Sequence, residues 1–228
     1  MLSEIRVALV CAAASFAVVS GFQDPVPEPA AVSDNEFVNV RVEPPRKPRG
    51  DVIADCMSLT GHPRIRVYVP THPIPPTREA PRGASLNSIF AMYFAHGGDY
   101  GCTGTDKRTF FHIDLKSQPK KSAFKDDAAK LDPTHNEVIL ESDHARVVLV
   151  HFEPGESGPI VDKRPRVIVA VTDSHATVTF PDGHSQPREV KAGSVSFGEA
   201  GRQATKNTGT TPLENIVVEL KSKDSEKK

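Results

Sequence analysis

The run Arg166-Val-Ile-Val-Ala-Val-Thr-Asp-Ser-His-Ala-Thr-Val-Thr-Phe-Pro-Asp-Gly183 decides the fold. Val167–Val171 is apolar throughout, Asp173-Ser174 interrupts it, Ala176–Phe180 resumes it, and Pro181-Asp182-Gly183 stops it. β-Branched side chains crowd a helix and pack well on a pleated surface, so two strands around a turn are favoured. The rhythm continues on both sides. Upstream lie Val138–Leu140 and Ala145–Phe152; downstream lie Arg188–Lys191, Ser194–Phe197, Gln203–Lys206 and Glu214–Leu220. Turn signals separate them at Pro154-Gly155, Ala192-Gly193, Ala200-Gly201 and Thr208-Gly209. Strands with turns roughly every 8–12 residues predict an all-β sandwich or barrel, here over residues 136–221.

Composition agrees. The 228 residues include 20 prolines and no tryptophan, which disfavours a long-helix bundle and a platform for stacking bases. Lys plus Arg (28) balances Asp plus Glu (29), and a net charge of -1 supplies no field for nucleic acid or an anionic membrane. Apolar residues make up 38%, and the first 21 residues hold a disproportionate share. The rest is lean in core-forming residues, so one large core is not expected.

Residues 7–20 (Val-Ala-Leu-Val-Cys-Ala-Ala-Ala-Ser-Phe-Ala-Val-Val-Ser) carry no charge; Arg6 precedes them and Gly21 follows. The run is short for a membrane span and suits the core of a signal peptide over 1–21, with an uncleaved anchor as the alternative. The expectation is an exported chain, periplasmic or extracellular, touching the membrane only through this segment. Cys56 and Cys102 remain after cleavage. An oxidising compartment makes a disulfide between them the expectation, with two free thiols as the alternative. No CxxC and no Cys/His zinc spacing is present.

Residues 22–35 are rich in proline and read as a linker. A small α+β region is expected over 36–117. Glu36–Val42, Ile65–Val69 and Phe110–Leu115 alternate as strands. Ser85–Ala95 reads as a helix, with Ser85 as N-cap, apolar residues at 86, 89, 90, 93 and 94, and Gly97-Gly98 beyond. Residues 118–135 read as a polar linker, 136–221 as the barrel and 222–228 as a solvated tail.

Several stretches carry a resemblance to a known family. Phe152-Glu-Pro-Gly-Glu-Ser-Gly-Pro159, Val178-Thr-Phe-Pro-Asp-Gly183, Val190-Lys-Ala-Gly-Ser-Val195 and Ala200–Gly209, ending in Pro212–Leu220, resemble a small single-domain cupin. That implies a jelly-roll β-barrel. Metal-bearing cupins place a Gly, five residues and His-x-His in the first motif, then a Glu or Gln, with a third His in the second motif. The matching positions here are Val161, Lys163, Val167 (or Ile168 in the longer spacing) and Gln203. Valine donates no electron pair and a lysine ammonium repels a divalent ion, so no metal and no cofactor is expected. In the N-terminal half, Phe37-Val-Asn-Val-Arg-Val-Glu-Pro44 and Phe111-His-Ile-Asp-Leu-Lys-Ser117 resemble part of a secreted acidobacterial soil family of unknown function.

On the cupin register Lys163 and Gln203 face the barrel mouth, with Arg166 nearby, and are the candidate ligands of a small anion. A barrel interior filled by Val161, Val167, Val169 and Phe197 would count against an enzyme. His144, His151, His175 and His184 are the residues from which a displaced metal site would be built. Asp126-Asp127, Glu153 and Glu156 read as solvated turn residues. The expectation is a non-catalytic binding or structural module with a small anion or a cell-envelope protein as partner, and a homodimer as a further option. The alternative is a cupin-type enzyme of the oxygenase or isomerase class, with a displaced metal site or metal-free Lys163 chemistry.

Overall fold

The structure, a computed structural model, describes residues 31–43, 63–70, 90–94, 108–120 and 125–223. The expected signal segment and Cys56 and Cys102 lie outside the described residues.

Strands β1 (Ala31–Asp34), β2 (Val38–Glu43), β3 (Arg64–Pro70), β4 (Phe90–Phe94) and β5 (Arg108–Leu115) form an antiparallel sheet in the order β1-β2-β5-β3-β4. One turn of helix follows, α1 (Ala128–Leu131). Next come β6 (Asn136–Glu141), β7 (Ala145–Phe152), β8 (Val161–Lys163), β9 (Arg166–Ala170), β10 (Ser174–Thr179), β11 (Ser185–Val190), β12 (Val195–Gly198), β13 (Gly201–Asn207) and β14 (Leu213–Leu220). They build two antiparallel sheets, β12-β9-β14-β7-β6 and β11-β10-β13-β8, which face each other as a cupin-like jelly roll. The turn after Phe180 closes at Gly183, whose φ of +87° suits a residue without Cβ.

Three expectations are corrected. Where the helix over 85–95 can be seen, Phe90–Phe94 is a strand instead, paired with β3 from Arg64↔Phe94 to Tyr68↔Phe90. A contiguous apolar run satisfies both periodicities, and the edge of β3 supplies the ladder that decides between them. The end of the 22–35 linker is β1, because Asn35 Oδ1 accepts from the Phe37 and Val38 N–H groups at 2.8 and 2.9 Å and turns the chain back onto β2. The 118–135 linker holds α1, N-capped by the Asp127 carboxylate, which accepts from Ala129 N–H at 3.0 Å; α1 packs on β6 and β8.

The lean composition also misled about the core. Val38, Val40, Ile65, Val67, Phe111, Ile113 and Leu115 from the first sheet are buried together with Ala145, Val147, Val167, Val169, Ile216, Val218 and Leu220 from the β12-β9-β14-β7-β6 sheet. The two halves share this core. Alternation concentrates the apolar residues on the facing sides of two sheets, where few are wasted on solvent.

Candidate functional site

Strand alternation gives the central sheet two different faces. Ala145, Val147, Val167, Val169, Ile216, Val218 and Leu220 point to the N-terminal sheet. The intervening residues therefore line the barrel. At one end Phe152, Val150 and Leu213 pack with Ala176 of the opposite sheet as an apolar plug. At the other end the lining turns ionic. Glu219 lies opposite Arg146 on β7 and opposite Arg166 on β9, so the three form one cross-strand row.

The row is unevenly paired. Arg146 Nε donates to Glu219 Oε2 at 2.9 Å, and its Nη1 and Nη2 each donate to the Asp127 carboxylate at 2.9 Å. Burial alone would lower the Arg146 pKa; Asp127 and Glu219 outweigh it and raise it. Burial likewise works against the Asp127 charge, and the bonded Arg146 holds its pKa low. Arg166, 7% exposed, has no carboxylate partner among the described residues. Its Nη1 donates only to the carbonyls of Arg164 (3.1 Å) and Glu199 (2.9 Å). Burial lowers its pKa, and Glu219 opposes the shift. The guanidinium lies over Gly198, where an added Cβ would stand 2.9 Å from its Cζ.

Lys163 approaches from the opposite sheet. The register pairs Val161 with Gln203 and Lys163 with Gly201, placing Val161, Lys163 and Gln203 on one face. Val161 is 3% exposed, so that face is the interior. Lys163 is half-buried, and its ammonium makes no hydrogen bond or ion pair among the described residues. Burial first, then the Arg166 charge, pushes its pKa down to about 8; Glu219 and Asp132 pull the other way. The alternate residues of this pair form an outer clasp, with Arg202 on Asp126 at 2.5 Å and on Asp162 at 3.4 Å. Deeper inside, Asn215 Oδ1 is buried without a donor among the described residues.

The expected site residues fall as follows. Lys163, Arg166 and Gln203 come to the barrel interior. Val167 does not: it faces the N-terminal sheet, so Ile168 is the inward residue on β9. Val169 and Phe197 also leave the barrel, Phe197 stacking on Phe37 at 6.0 Å between ring centroids. Asp127 is no solvated turn residue, because it is held by Arg146. His151 lies outside between Glu214 (3.2 Å) and Glu153 (3.1 Å), and His184 closes the Asp182 turn. His175 is exposed, and His144 lines a cavity of about 310 Å³ beside Leu220, on the far face of the central sheet from the ionic row. Among the described residues no three His, Cys, Asp or Glu side chains are placed to hold a metal ion.

Arg146 and Glu219 were missed. Their signal was present: each is a charge inside an otherwise apolar strand, where long charged residues are rarely buried unless paired. β8 was missed because Pro159 and Pro165 leave it three residues.

The site is thus the charged end of a cupin-like jelly roll. No family model and no curated protein matches the chain. Solved cupin and double-stranded β-helix domains do resemble it. A cupin domain from Bordetella pertussis is 19% identical, with 38% of this chain and 92% of that one covered at a TM-score of 0.36. An RmlC-like cupin family protein from Methanocaldococcus jannaschii is 18% identical, with 46% and 89% covered at 0.33. A DMSP lyase from Ruegeria pomeroyi is 20% identical, with 38% and 42% covered at 0.29. The jelly-roll assignment rests on the strand order and register given above.

Proposed function

We propose that this is an exported, non-catalytic module whose barrel binds a small anion between Lys163 and Arg166, flanked by the Gln203 amide. One observation carries the reading: two inward cations lack an ion-pair partner among the described residues, while neighbouring Arg146 is paired with Asp127 and Glu219. An unpaired buried charge is costly, and a carboxylate or phosphate arriving there offsets that cost with charge-assisted hydrogen bonds. Export is supported by the uncharged run over residues 7–20. The resemblance to a secreted acidobacterial family points the same way.

The competing reading, a metal-free enzyme, draws on the lowered Lys163 pKa of about 8. Calorimetric titration of inorganic phosphate, acetate and succinate into the wild type, Lys163→Met and Arg166→Gln separates them from a module that binds no anion. Saturable binding is expected in the wild type, weakened about tenfold or more in each variant, the effect of one charged hydrogen bond. Heats no larger than dilution for all three anions, with no rise in Tm, refute the anion site. Substrate turnover by the purified chain refutes the non-catalytic role.

A further inference from the structure

Building on the anion site, we infer that Lys163 captures 2-oxo carboxylates as a reversible imine, with the ligand carboxylate held by Arg166.

The geometry supplies two different functions side by side. Arg166 spends only Nη1, on two backbone carbonyls, and its remaining N–H groups have no hydrogen bond among the described residues. It is a fixed, buried cation, which suits a carboxylate. Lys163 ends β8 and Arg166 opens β9, separated only by Arg164 and the buried Pro165. Both side chains face the barrel interior from the two ends of this short turn, and the Arg166 charge is one of the causes that lower the Lys163 pKa. In a 2-oxo acid the electrophilic carbon is directly bonded to the carboxylate, so a carboxylate on Arg166 presents that carbon near Lys163. Aldehydes or ketones without the acid group lack the anchor.

The amine is also chemically competent. A pKa of about 8 in place of the ordinary 10.5 gives at least a hundredfold more neutral amine at neutral pH. Lysines desolvated beside another cation are activated in this way as nucleophiles. The Nζ lone pair attacks the carbonyl carbon, and the π pair moves to oxygen to give a carbinolamine. The C–O bond then breaks and the oxygen leaves as water. Starting from the ammonium, two nitrogen protons end on that water and a protonated imine remains, with no oxidation or reduction. Glu219 and Asp132, whose charges act on Lys163, balance the positive imine.

The test uses the full chain with pyruvate and cyanoborohydride, which reduces any imine to a stable secondary amine. Intact mass and peptide mapping read the result. One adduct per chain, mapped to Lys163, is expected, formed about tenfold or more faster with pyruvate than with acetone. Arg166→Gln should abolish that preference, and Lys163→Arg should abolish the adduct. No adduct at Lys163 in the wild type, an adduct spread evenly over exposed lysines such as Lys191 and Lys206, or equal rates with acetone would overturn the inference. The wild-type map decides this even where a variant fails to fold. Calorimetric binding of pyruvate without trapping removes the imine and leaves the anion site; absence of both removes both.

Discussion

The two faces of the central sheet are made by the same strands and do opposite things. Toward the N-terminal sheet, β7, β9 and β14 bury aliphatic side chains among further aliphatics and Phe111, and only at one end does that face turn polar, with the paired His151 and Glu214. Toward the barrel, the same strands grade from Phe152 and Leu213 at one end to Arg146, Glu219 and Arg166 at the other. Val167 and Arg166 are chain neighbours, yet one contributes burial energy and the other bears a desolvated charge. The packing face tolerates local change, because each contact is one of many. The barrel face is an electrostatic circuit, in which removing one member strands another.

That contrast can be broken by mutation. The largest effect is expected from Arg146→Met, which removes the guanidinium bonded to both Asp127 and Glu219; the loss should be about 3–5 kcal/mol by urea unfolding. A loss below that of a simple methyl deletion would mean that the row is not a circuit.

Lys163→Met should act in the opposite direction. It removes an unpaired charge and should gain about 1–3 kcal/mol at neutral pH while weakening anion binding. The folded pKa, about 8, lies below the ordinary 10.5. The unfolded chain therefore binds more protons between those values, and wild-type stability rises with pH across that window. The gain from Lys163→Met should be full below about pH 8 and vanish above 10.5. A pH-independent gain would show that packing, not charge, is responsible.

Ile216→Val sharpens the comparison from the other side. It deletes one buried methylene on the packing face and should cost about 0.5–1.5 kcal/mol, with unchanged anion affinity. A change in affinity would show that the two faces are coupled.

The smallest effect is expected at His151. Burial disfavours its charge, but hydrogen bonds to Glu153 and Glu214 outweigh this and raise its pKa above 6.5. Its stabilisation is full below that value and fades as pH climbs through the raised one. His151 is 38% exposed, so solvent screens the pairs and His151→Gln should cost under about 1 kcal/mol, seen as a Tm difference on the acid side only. A larger effect on the alkaline side would assign His151 a packing role instead.

Much of this was legible in the chain. The strands from Ala145 to Leu220 follow from period-two alternation and from turn residues, both local properties. The cupin resemblance implied that Lys163 and Gln203 lie together at the barrel mouth; the β8–β13 register puts the two on one face. Phe90–Phe94 was ambiguous, because an unbroken apolar run has no period, and the free edge of β3 resolved it. By itself the sequence pattern determined that there would be an all-β sandwich or barrel and which residues would alternate along each strand. Tertiary structure alone decided which side of each strand became the interior. It also decided that residues as far apart as Arg146 and Glu219, 73 positions in sequence, would meet beside Arg166. The reason is physical: alternation sets two faces but does not say what covers them, and a buried charge is defined by partners that only the assembled sheets bring into reach.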